Sequence, residues 1–246
     1  MKRFVIGSIL GLFLLGLMVS PGVSQDAQTI LDKVIEAQGG RKVLEGIKDS
    51  ASEATMELTQ MGISGSGIMY VKEPNMMRLD LEFMGMMITQ AYDGTVGWTV
   101  NPQSGATEEL PEDLAQVMKN SSYGNIALLD PKKFDIAYKY KGKENIEGKE
   151  YLVLDRVHSD GYIITHYIDP ETYLIYKIKQ DSFDEMMSPI AEETIMTDYK
   201  KVDGVMTAHT ITIFREGEEF GVLTITDVKF NSGLEDSFFK MDGTIQ

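Results

Sequence analysis

The sequence predicts a mainly β protein of the α+β kind: an incomplete antiparallel β-barrel of about eleven strands with an N-terminal helix and a helical lid insertion. Three observations predict it. Apolar residues recur with a period of two in many short segments, glycine-bearing turns separate those segments, and helical spacing is confined to the start of the chain and one insertion.

The first segment is a leader. Lys2 and Arg3 precede an apolar run over residues 4–19 that breaks at Ser20-Pro21-Gly22. That pattern predicts an export signal peptide over residues 1–24, cleaved near Ser24-Gln25, and leaves a single exported domain at 25–246. The run contains three glycines and is shorter than the roughly 20 residues a spanning helix needs. Next, Ile30, Leu31, Val34 and Ile35 fall at helical spacing, and Gly39-Gly40 stops that helix. Val43, Leu44 and Ile47 add a second short piece.

From Ala54 the period is two: Ala54, Met56 and Leu58 alternate with Glu53, Thr55 and Glu57. The same alternation returns at residues 68–72, 77–83, 86–92, 96–100, 134–140, 151–157, 162–168, 174–179, 194–199, 205–214 and 220–230. Turn signals such as Gly65-Ser66-Gly67, Asp93-Gly94, Asp160-Gly161 and Asp203-Gly204 lie between them. Short strands with such punctuation predict a meander that curls on itself. The pattern dissolves after Asn101-Pro102, and Pro111 followed by Glu112 and Asp113 opens a helix over residues 111–119. An insertion there lies over a face or opening of the sheet, so Leu114, Val117 and Met118 are its candidate lid residues.

Composition narrows the function. Of 23 basic and 38 acidic residues, the leader carries two and none, so the exported chain has 21 against 38, a net charge of −17. That balance excludes nucleic acid, whose phosphates need Lys and Arg, and disfavours an anionic membrane surface. The chain has no cysteine, so disulfides and thiolate chemistry are excluded.

The stretch Glu82-Phe83-Met84-Gly85-Met86 sets a register. A two-residue loop at Met84-Gly85 pairs Phe83 with Met86, Leu81 with Ile88, Leu79 with Gln90 and Met77 with Tyr92. One face is then almost wholly apolar, while Arg78, Asp80, Glu82 and Thr89 occupy the other. A three-residue loop Asp93-Gly94-Thr95 would add Val96, Trp98 and Val100 to the apolar face. Six methionines fall in residues 69–87. Flexible thioethers suit irregular apolar partners, and equally suit a filled core. The candidate wall is Met56, Leu58, Met77, Leu79, Leu81, Phe83, Met86, Ile88, Trp98 and Val100. Copper(I) is the other thioether chemistry, but Met77 and Met86 are far apart along the face and Met87 points away, so no metal site is assigned.

Catalytic signatures are missing. The histidines are His158, His166 and His209; the turn at Asp160-Gly161 leaves His158 near the loop and His166 opposite Leu154. No nucleophile elbow, zinc helix or phosphate loop occurs. Acidic pairs such as Glu108-Glu109 and Glu192-Glu193 read as solvated faces. No catalytic residue and no cofactor is predicted, and the chain is read as a non-enzyme.

Tyr70-Val71-Lys72-Glu73-Pro74-Asn75, Asp93-Gly94, Trp98 and Asn101-Pro102 together resemble the LolA-like family of outer-membrane lipoprotein carriers and sorting proteins. Asp169-Pro170-Glu171-Thr172 and the ending Asp236-Ser237-Phe238-Phe239 are similar as well. The resemblance implies an incomplete barrel covered by helices, with an apolar cavity that shelters a lipid or the acyl chains of a lipoprotein crossing the periplasm. It further implies an inner-membrane donor and an outer-membrane acceptor as partners. Lys72-Glu73-Pro74 departs from the Lys-Arg-Pro of the better-known carriers and removes one positive charge. The alternative is an envelope sensor or scaffold that uses the same fold to bind another protein.

Overall fold

The computed structural model describes residues 23–184 and 186–241. The leader expected over residues 1–24 lies almost wholly outside them, and its cleavage point falls in the first turn of the first helix. That helix, α1 (Val23–Ala37), is followed by α2 (Arg41–Glu45). Ala27, Ile30, Leu31, Val34 and Ile35 form the buried stripe of α1, as their spacing dictates.

The first six strands are β1 (Asp49–Leu58), β2 (Ile63–Lys72), β3 (Met76–Phe83), β4 (Met86–Tyr92), β5 (Gly97–Val100) and β6 (Thr107–Glu109). The insertion follows as α3 (Glu112–Ser122), α4 (Ile126–Leu129) and a 3-10 turn Pro131–Phe134. The second half contains β7 (Ala137–Ile146), β8 (Lys149–Val157), β9 (Ile163–Ile168), β10 (Ile175–Phe183), β11 (Pro189–Val202), β12 (Val205–Arg215) and β13 (Glu218–Phe230). A last 3-10 turn spans Asp236–Phe239.

All thirteen strands form one antiparallel sheet in the order β6-β5-β4-β3-β2-β1-β13-β12-β11-β10-β9-β8-β7. Each strand pairs with its chain neighbour except across the insertion, and β1 pairs with β13 to join the two halves. The sheet curls but does not close, leaving β6 and β7 as its edges. One strand forms that the alternating segments do not predict, the three-residue β6, too short to show a period.

The core divides by half. On one side α1 packs its stripe against Leu152 and Leu154 of β8, Ile168 of β9 and Ile175 of β10. On the other, α3 packs Met118 with Tyr92 and Leu110, beside Met77, Leu114 and Ala115. α3 also reaches β10, so it bridges the two sides of the curled sheet.

The hairpin β3-β4 turns at Met84-Gly85, both at positive φ (52° and 80°), and pairs Phe83 with Met86 and Leu81 with Ile88. The β4-β5 connection differs from expectation. It has four residues, because Asp93 Oδ1 accepts hydrogen bonds from the amides of both Thr95 and Val96. Tyr92 therefore pairs with Gly97, and Ala91 with Trp98. One extra residue moves every side chain of β5 to the opposite face. Gly97 takes the inner position because α3 leaves no room there: a Cβ would lie 2.9 Å from Ala115 Cβ.

Trp98 and Val100 are thus corrected from inner wall to outer face, where they are buried with Ala91. They are covered there by the C-terminal turn. Trp98 Nε1 donates to the Phe239 carbonyl and Arg78 Nη1 to the Phe238 carbonyl. The Asp49 carboxylate accepts from the amides of Ser232, Gly233 and Leu234 and holds the approach to that turn.

Candidate functional site

The curled sheet and the insertion enclose a cavity of about 440 Å³. Its wall is the inner face of both halves. Met56, Ala54 and Ser52 come from β1, Gly67 and Met69 from β2, and Met77, Leu79 and Leu81 from β3. β9 to β13 supply Ile164, His166, Ile175, Ile178, Gln180, Thr194, Met196, Ile211, Leu223 and Ile225, and β8 supplies Arg156. The insertion closes the space with Ser121, Tyr123, Gly124 and Leu128.

Two features keep this interior from filling itself. Ser52, Ala54 and Gly67 are small where β1 and β2 cross the cavity. The aliphatic side chains beside them, Leu79 and Leu81, are only half-buried although they point inward. Four thioethers, Met56, Met69, Met77 and Met196, complete a soft, deformable lining.

Of the ten wall residues read from the sequence, Met56, Met77, Leu79 and Leu81 line the cavity. Leu58 and Phe83 are on the same face but pack into the sheet's end, buried, against Gly221 and Gly65 respectively. Ile88 faces Leu81 outside the cavity wall. Met86 is 55% exposed, because it sits at the hairpin tip beyond the curl of the sheet. Trp98 and Val100 lie on the outer face, as above.

The insertion covers the cavity with a different part than expected. Met118 and Leu114 pack against the sheet, and Val117 borders a separate surface depression with Asp113 and Tyr162. The cavity is met instead by the end of α3 and the step into α4. Nothing in the alternating pattern marks Ser121 or Tyr123, since Ser121 lies in the last turn of α3 and Tyr123 directly follows that helix.

Glu73, the position of altered charge, anchors that step. Its carboxylate accepts from the amides of Asn125 (2.6 Å) and Ile126 (3.3 Å), the open N-terminus of α4. Burial raises Glu73 above the usual carboxylate range.

Arg156, His166 and Gln180 lie close together on the cavity wall. Arg156 pairs across the sheet with Tyr138 on β7 and Ile164 on β9, and Gln180 pairs with Ile164 from the next strand. Arg156 Nη2 donates to the Asn120 carbonyl at 2.7 Å, at the C-terminal end of α3. Burial, then Arg156, lowers His166 to about 3, so that ring is neutral near pH 7. Burial and the same guanidinium lower His158 to about 4. Among the described residues no group of three or more His, Asp and Glu side chains could hold a metal.

Comparison with known proteins places this architecture. A family model described as "Uncharacterized protein" matches residues 70–243, and the chain belongs to that family. No curated protein sequence matches the chain significantly. Among solved structures, a DUF1329 family protein from Desulfovibrio piger is similar over 87% of this chain and 97% of its own, with 18% identity and a TM-score of 0.58. A domain assigned as an outer membrane lipoprotein-sorting protein from Vibrio parahaemolyticus is 15% identical over 88% of this chain and 97% of its own, TM-score 0.59. A LolA superfamily protein from Nitrosomonas europaea is 14% identical over 87% and 97%, TM-score 0.58. The fold is therefore LolA-like.

Proposed function

We propose that the chain is a periplasmic carrier that holds a lipid, or the acyl chains of a lipoprotein, in the cavity and hands it toward the outer membrane. The proposed site comprises Met56, Met77, Leu79 and Leu81 of the sequence-derived wall, with the α3–α4 step as lid. The observation that carries the reading is the unfilled apolar space itself, lined by half-buried Leu79 and Leu81 and bridged by α3. Its size falls within the range of roughly 300–1,000 Å³ typical of ligand pockets. An acyl chain there gains about 0.8 kcal/mol for each buried methylene. Affinity thus needs no catalytic group.

The same reading takes residues 1–24 as an export leader and 25–246 as one domain. No described helix is long and apolar enough to cross a membrane. Donor and acceptor proteins at the two membranes belong to the proposal. Native mass spectrometry and solvent extraction of the purified chain test it: an acylated species is expected. Repeated recovery of ligand-free protein that takes up no fluorescent fatty acid would overturn it.

A specific observation favours a second reading. Met84, Met86 and Met87 stand exposed at the tip of one hairpin, with Met61 exposed at the β1-β2 turn. Exposed thioethers suit an adaptable protein contact, as an envelope sensor or scaffold would need.

A further inference from the structure

Arg156 is a buried cation inside an apolar cavity, in a chain of net charge −15. It is 8% exposed, and among the described residues no carboxylate pairs with it. The Asn120 carbonyl is its one hydrogen-bond acceptor of ordinary geometry, and its Nε has none. The Tyr138 hydroxyl faces the guanidinium but completes no well-formed hydrogen bond. His166, 6% exposed and also on the cavity wall, leaves Nδ1 without a partner.

Carboxylates on neighbouring elements are engaged elsewhere. Glu192, reached through Gln180 on the inner face, is engaged by Arg215 Nε at 3.4 Å. Asp160 accepts from Asn120 Nδ2 and pairs with Lys119. Asp155, the neighbour of Arg156 in sequence, points to the opposite face, where it meets Thr165 and Lys141. An uncompensated buried charge is costly, and a chain rich in carboxylates supplies none here. The end of α3 offsets part of that cost through its carbonyl dipole.

We propose that Arg156 receives the anionic head of a single-chain amphiphile whose tail fills the cavity between Met56, Leu79 and Met196. This rests on the carrier reading above and narrows its ligand. The head is a carboxylate or a phosphate, both of which a guanidinium binds through paired N–H donors. The volume argues for one chain. If a methylene takes about the space of a water in the liquid, roughly 30 Å³, then 440 Å³ holds about fifteen of them. Arg156 is the cationic side chain among those that line the cavity. Gln180 and Ser121 line the same cavity.

The test uses the full exported chain and four probes of equal tail length: myristate, tetradecyl phosphate, tetradecanol and tetradecylammonium. Their dissociation constants are measured by displacement of a fluorescent acyl probe. Myristate or tetradecyl phosphate is expected to bind at least tenfold tighter than tetradecanol, with tetradecylammonium weakest; whichever anion binds tighter identifies the head. Arg156→Met is expected to bring the anions to the level of tetradecanol. Equal binding of anion and alcohol by the unaltered chain overturns the inference while the carrier reading stands. Binding of no probe overturns both. The comparison on the unaltered chain needs no variant, so it decides even if Arg156→Met does not fold.

Discussion

Trp98 Nε1 donates to the carbonyl oxygen of Phe239 at 2.8 Å, across 141 positions of sequence, and fastens the C-terminal turn to the outer face of β5. Phe239 is fully buried there, edge-on to Phe238, whose ring stands over Arg78 and meets Tyr70. Phe239→Ala is expected to cost about 3–5 kcal/mol, as large-to-small changes of buried aromatic residues do. Because the chain has one tryptophan, its emission reports this clasp: Phe239→Ala shifts it to the red. Loading with fatty acid leaves it nearly unchanged, since the indole lies on the other side of the sheet from the cavity.

Leu81 and Glu82 are adjacent but face opposite ways. Leu81→Asp places a carboxylate in the apolar wall, where an unpaired charge costs several kcal/mol, and uptake of a fluorescent fatty acid is expected to fall at least tenfold. Glu82→Lys is expected to leave uptake within twofold. Equal losses from the two variants would contradict the observed faces.

Gly97 and Ala115 mark where α3 presses on the sheet. The Cβ of Gly97→Ala would stand 2.9 Å from Ala115 Cβ, so the helix must move. Overpacking of this kind costs about 1–3 kcal/mol. Urea denaturation of Gly97→Ala with and without Ala115→Gly checks it: the second change is expected to recover much of the loss, as coupling between touching residues requires.

Glu73 holds the α3–α4 step through two amides. Glu73→Ala leaves those donors without their acceptor, at about 1–3 kcal/mol, whereas Glu73→Gln retains an acceptor. Burial raises the folded-state value of Glu73. Its protonation therefore favours the folded state, and this contribution is lost as pH rises through the folded value. Denaturation midpoints compared between pH 4 and pH 7 are expected to carry less of this slope in Glu73→Gln.

His158 and His166 act in the opposite sense. Their folded values, about 4 and about 3, lie below the ordinary value near 6.5. The unfolded chain takes up protons that the folded chain refuses, so stability falls as pH drops below about 6.5 toward 4. His166→Gln is expected to flatten the fall in thermal midpoint between pH 7 and pH 5. An unchanged slope would mean the ring is protonated in place.

The legible part of the fold was whatever local chemistry governs. Met84-Gly85 can adopt the positive φ a two-residue turn needs, so the sequence alone settled the β3-β4 register and the inward side of Met77, Leu79 and Leu81. The stripe Ile30, Leu31, Val34 and Ile35 likewise settled α1, and Pro111 with its following acids settled α3 to within a turn. Where one residue more or less in a loop decides the outcome, local pattern was not enough. Asp93 could cap three residues or four, and α3, more than seventeen residues further on at Ala115, selected four by admitting only a glycine at 97.

The cavity is a tertiary fact for the same reason. Alternation told which side chains face inward on each strand, but an inward side can be a filled core or an empty space. That choice depends on strands far apart in sequence, where Ala54 and Gly67 of one half stand across from Met196 and Ile211 of the other. Arg156 shows it most plainly. In the sequence it is one basic residue among 23; only the curl of the sheet and the end of α3 enclose it without a carboxylate. Sequence determined the strands and their faces through dihedral preference and side-chain period, while long-range packing decided what those faces enclose.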